Sequence, residues 1–159
     1  CLVGSEMCIR DRSYTSHQRF IGCQQSFLEH DTVFVPEKSY EKARFSYDSA
    51  YRGMKRLIAR CPDITAVFAM SDIMALGAIR ALQDHGLRVP QDISVTGYDG
   101  IALGQYSVPR LTTIRQNKEQ LALRSAKILL HKIKEPGTAV HEVVPFELIE
   151  GESVTKLSP

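Results

Sequence analysis

Residues 66–100, AVFAMSDIMALGAIRALQDHGLRVPQDISVTGYDG, limit the fold of this chain more than any other stretch. Ala66 to Met70 is an apolar run without polar alternation, the pattern of a parallel strand covered on both faces. Ser71 brings a hydroxyl suited to capping the N–H groups of a following helix, and Asp72 adds negative charge at that helix's positive end. Ile73, Leu76, Ala78, Ile79 and Leu82 recur at three- and four-residue spacing, and Gly86 stands where a left-handed C-terminal cap belongs. Pro90 prevents further helix, and Ile93, Val95 and Thr96 are β-formers leading through Gly97 into Tyr98-Asp99-Gly100. A strand, crossover helix and strand of this length join parallel neighbours, which makes the fold class α/β with a parallel sheet. Two polar elbows, Ser71-Asp72 and Asp99-Gly100, then fall at strand ends, where open α/β sheets bind small ligands.

The 159 residues, 43% of them hydrophobic, suffice for one soluble domain with a real core. A net charge of +2 with scattered Lys and Arg gives no nucleic-acid groove in this segment. No apolar stretch approaches the roughly 20 residues that span a bilayer, so no membrane partner is expected. Cys1, Cys8, Cys23 and Cys61 lack C-x-x-C spacing and companion histidines, which points to structural thiols in a reducing, cytoplasmic compartment. His17, His30, His85, His131 and His141 are dispersed, so no metal site is expected. There is no nucleophile with a base at plausible spacing, no carboxylate pair and no Gly-rich phosphate loop, so neither catalysis nor a cofactor is expected.

Helix and strand alternate along the rest. A helix is expected from Ser16 or His17 to Glu29, a short strand at Thr32–Val35, a polar loop over 37–46, and a helix returning at Tyr47 and ending at Cys61-Pro62. Beyond Gly100 come a short helix or turn over 101–106, a strand at 111–115, and a helix from Lys118 to Lys132 with Leu121, Ile128, Leu129 and Ile133 on its apolar side. A Pro136-Gly137 turn leads to an edge strand within 141–149 that carries Pro145, and residues 151–159 are expected to form a mobile tail. The opening CLVGSEMCIRDR has neither helical nor alternating period and resembles translated sequencing-adapter sequence. Residues 1–12 are therefore expected to be non-native and to stand outside the fold, the alternative being an irregular strand in which Cys1-Leu2-Val3 joins the sheet.

From about Gln18 to Val154 the chain resembles the effector-binding core of LacI-type bacterial transcription repressors. The resemblance rests on RFIG at 19–22, ITAVFAMSDIMALGAIRAL at 64–82, GLRVPQDISVTGYD at 86–99 and VPRLTTIRQ at 108–116, four motifs in family order and spacing. It implies a fold like that of type I periplasmic sugar-binding proteins: two Rossmann-like subdomains with helices on both sheet faces and ligand in the cleft between them. On that analogy residues 13–150 are the effector-binding domain, truncated at its N-terminus. Residues 13 to about 113 supply most of the C-terminal subdomain, and residues 114–138 cross into an N-terminal subdomain that is largely missing. The helix at 118–132 would then lack its partners and expose apolar surface.

Asp99 is the strongest ligand-binding candidate. A carboxylate at a strand's carboxyl edge accepts two hydrogen bonds from adjacent sugar hydroxyls, and the resemblance implies that the matching acid contacts ligand. Arg19 matches the arginine of R-x-x-G, whose planar fork clamps a ring oxygen, hydroxyl or carboxylate. Phe45 falls in the loop where relatives carry an aromatic that stacks on the ligand. Ser71 takes the place of an asparagine in many relatives, with helix capping as its other explanation, and Gln116 aligns with a polar residue that approaches ligand from the hinge. Asp72 is expected to stabilise its helix start, and Tyr98 to pack. The resemblance also implies a homodimer interface formed by the helix after Ser71 and the segment around Tyr106, with Met74 and Tyr106 as contacts.

The expected function is the effector-binding and dimerisation domain of a DNA-binding repressor that senses a small molecule, a sugar by preference. DNA would be met through a helix-turn-helix absent from this chain. The alternative is a periplasmic sugar-binding protein of a transport system, which a signal peptide in the upstream gene sequence would identify.

Overall fold

The computed structural model describes residues 2–5, 14–30, 35–135, 137 and 140–156. Cys1, Cys8, most of the strand expected at 32–35 and Pro136 of the expected turn lie outside them. In chain order the elements are β1 (Leu2–Ser5), α1 (Tyr14–Glu29), α2 (Pro36–Ser39), β2 (Tyr40–Ala43), α3 (Tyr47–Arg60), β3 (Ala66–Ala69) and α4 (Asp72–Asp84). Then follow β4 (Ser94–Asp99), α5 (Ala102–Tyr106), β5 (Thr112–Gln116), α6 (Lys118–Lys134) and β6 (Phe146–Ile149). The strands form one sheet in the order β2-β1-β3-β4-β5-β6, parallel throughout except for the antiparallel β5–β6 pair.

The apolar run of β3 alternates between faces. Val67 and Ala69 are buried beneath α3 and α4 with Val95 of β4, whereas Phe68 and Tyr98 point to the face along which α1 lies. α4 is enclosed on several sides, with Met74, Ala75, Ala78, Ala81 and Leu82 all fully buried, because α3 packs closely over it through Ala50, Met54 and Leu57. Burial of each Leu or Met side chain here contributes about 1.5–3 kcal/mol. Gly86 ends α4 as the pattern requires. Its φ of 76° lets its N–H reach Gln83 O at 2.9 Å while the Leu87 N–H reaches Leu82 O at 3.0 Å.

Three expectations are corrected. Leu2–Ser5 belongs to the sheet, pairing with β2 on one side and β3 on the other, which is the alternative reading of the opening residues. The polar loop over 37–46 contains α2 and β2. β2 tolerates Glu41 on a buried face because Arg56 and Arg60 reach its two oxygens at 2.6 and 3.0 Å.

The third correction concerns the tail, which is tied down through residue 155. Ser153 is fully buried, its hydroxyl accepts the Thr112 N–H at 2.9 Å and donates to Val95 O, and its carbonyl accepts the Val95 N–H at 2.7 Å. Ser153→Ala is expected to destabilise the protein by about 1–3 kcal/mol, since it strands two buried backbone groups. A urea titration with an unchanged midpoint would contradict this.

No residue of α6 is buried, and Leu123, Leu129, Leu130 and Ile133 are each more than half exposed.

Candidate functional site

β3, β4 and β5 end side by side, and three sequence candidates meet there. Arg19 comes from α1, Asp99 from the last position of β4 and Gln116 from the last position of β5. Arg19 Nη2 donates to Asp99 Oδ1 at 3.0 Å, and Gln116 Nε2 donates to the same oxygen at 2.9 Å. Among the described residues nothing donates to Asp99 Oδ2. The Arg19 side chain is only 10% exposed and that of Asp99 26%, so the ion pair is shielded on one side and open on the other.

Arg19 is fixed by more than its charge partner. Its Nη1 donates to Met70 O, and its guanidinium carbon lies 3.8 Å from the centroid of the Tyr98 ring. A cation held over an aromatic face and pinned at both ends of its fork is pre-organised to present its remaining donors. Tyr98, expected merely to pack, is thus the platform of the arginine. Its place one residue before Asp99, on the opposite face of β4, was the signal available in the sequence.

Asp99 adopts φ 113° and Gly100 φ 64°. A left-handed conformation at a non-glycine residue costs on the order of 1–3 kcal/mol and is kept only where the surroundings enforce it. Beneath this turn, Asp72 has no exposed surface. Its Oδ2 accepts the Ile101 N–H at 2.7 Å, and its Oδ1 accepts the Thr113 hydroxyl. Burial pushes the Asp72 carboxyl up, against the bonds from Thr113, Ile101 and Gly100 that pull it down. Asp72 stands in the first turn of α4 as expected, and its oxygens also reach β5 and the turn after β4.

The other candidates fare differently. Phe45 follows β2 at the same carboxyl edge of the sheet and is half-buried against the core. Ser71 is 2% exposed, caps nothing, and its hydroxyl has no partner among the described residues. The capping reading of Ser71 is therefore corrected. Met74 is fully buried in the core and has no surface to offer a second copy, whereas Tyr106 is 83% exposed.

An apolar cleft of about 720 Å³ runs between α1 and the sheet, bordered by Arg19, Cys23, Phe27, Phe68 and Tyr98. Burial raises the Cys23 thiol there to about 11, which leaves it protonated and weakly nucleophilic at neutral pH. Among the described residues, no group of three or more His, Cys, Asp or Glu side chains is placed to hold a metal ion, and no helix is long and apolar enough to cross a membrane.

Comparison with known proteins places this geometry. The periplasmic binding protein-like domain family matches residues 6–154. The transcriptional repressor PurR of Pectobacterium carotovorum is 40% identical over 154 residues, which cover 96% of this chain and 44% of that protein. The transcriptional regulator CelR in its cellobiose complex superposes with a TM-score of 0.85 at 30% identity, covering 95% of this chain and 46% of the other. The lac repressor dimer bound to operator and the anti-inducer ONPF gives 0.86 at 25% identity, covering 97% and 51%. The chain thus spans about half the length of the relatives it matches. It belongs to the periplasmic binding protein-like domain family, in the form carried by LacI-type transcription regulators.

Proposed function

We propose that this chain is the effector-binding portion of a DNA-binding transcription repressor that senses a sugar or related small metabolite. The carrying observation is the convergence of Arg19 and Gln116 on Asp99 Oδ1, which leaves Oδ2 open at the rim of the sheet. An ionised acceptor beside a fixed guanidinium suits a vicinal diol, whose two hydroxyls donate to the carboxylate and whose oxygens accept from the arginine. Phe45, at the same edge, would supply the apolar face of such a site.

Residues 13–113 make up most of one subdomain, and 114–138 carry the chain into a second. Ligand would close the two subdomains and change the angle between DNA-reading heads of a homodimer in which exposed Tyr106 takes part. Contact with DNA would lie in a helix-turn-helix outside these residues. Similarity to named repressors and regulators favours this reading over a transport protein.

The test is a thermal-shift screen of the full-length protein against sugars, sugar phosphates and nucleosides, followed by operator binding with and without the hit. A hit at one hundred times its Kd adds about 2.7 kcal/mol, which raises the melting temperature, and is expected to change DNA affinity. A full-length protein that binds a sugar, carries a signal peptide and has no DNA affinity would refute the regulatory reading.

A further inference from the structure

We propose that Asp72 is a positioning residue of the ligand site: its buried carboxylate grips the Asp99-Gly100-Ile101 turn from beneath and sets where the Asp99 carboxylate stands. The inference rests on the reading of Asp99 as a ligand contact. Asp72 opens α4, yet its oxygens accept from other segments: the Ile101 N–H and the Thr113 hydroxyl of β5.

These donors bracket Asp99 in the fold. Ile101 lies two residues after it, and Thr113 is the cross-strand partner of Gly97, two residues before it. The left-handed φ at Asp99 requires an external restraint, and the Asp72 grip supplies it. Gly97 makes the grip possible, because a Cβ at that position would stand 2.3 Å from Asp72 Oδ1.

The test is hydrogen exchange of the full-length protein, read in peptides covering the 99–102 turn and, as reference, β3. Asp72→Ala is expected to speed exchange in the turn at least tenfold while β3 stays within twofold. Asp72→Asn is expected to recover most of the protection, because its amide oxygen still accepts from Ile101 N–H and its NH2 donates to the Thr113 hydroxyl. Should Asp72→Ala fail to fold, Thr113→Val removes one donor and is expected to speed turn exchange in the same direction by a smaller factor. Unchanged turn exchange in the folded variants, or an Asn variant no better than Ala, overturns the proposal. Failure of the ligand reading is visible separately. Asp99→Asn would then respond to D-ribose, maltose or cellobiose, whichever shifts the parent's melting, as the parent does, while the exchange result stands.

Discussion

Asp99→Ala in the full-length protein is expected to weaken effector binding at least a hundredfold while leaving the fold intact. Hydrogen bonds to a charged acceptor are worth about 1.5–3 kcal/mol each, and a diol makes two. The substitution also removes the partner of an Arg19 side chain that is 10% exposed, and Gln116 loses its acceptor at the same time. The three residues act as a unit, so Arg19→Ala combined with Asp99→Ala should fall well short of the sum of the two. Isothermal titration with the effector identified by the thermal screen measures the loss, and circular dichroism checks the fold. Retention of parental affinity in Asp99→Ala would remove the carboxylate from the site.

Gly97→Ala is expected to be strongly destabilising. The added Cβ would stand 2.3 Å from Asp72 Oδ1 and 2.8 Å from Leu111 Cδ2. Neither neighbour has room to retreat, because Asp72 is bonded to two other segments and Leu111 is fully buried. Overpacking of this kind costs typically 1–3 kcal/mol, and a forced break in the bonds of a buried carboxylate adds to it, so a loss of about 3 kcal/mol or more is expected. For a chain of this size that corresponds to a fall in melting temperature of roughly 10 °C, measurable by differential scanning calorimetry. A variant that melts with the parent would mean that β4 stands farther from α4 than described.

Local pattern made the β3–α4–β4 unit legible, because an unbroken apolar run, a helical period and a left-handed glycine each point to one structure. Asp99, Arg19 and Gln116 were legible through family motifs. Their meeting on one oxygen was not, since Arg19 lies eighty residues from Asp99 in sequence. β2 was missed because its buried Glu41 reads as a loop residue until Arg56 and Arg60 of α3 are known to hold it. Ser71 misled in the opposite direction. A serine before a helix reads as a cap, yet here the side chain is turned inward and the first turn goes without one. The role of Asp72 depends on partners 29 and 41 residues further along, and no window of helical periodicity spans that distance.

β5 leads into α6, and β6 runs back beside it at the edge of the sheet, with Gln116 opposite Phe146. Everything between them is therefore mounted on a doubled strap, not a single thread. Such a mount flexes about one axis and stiffens against twist, because shearing one strand along the other would break their hydrogen bonds in register. Gln116 is both the last residue of β5 and a donor to Asp99, so the end of that doubled strap and the carboxylate meet in one side chain.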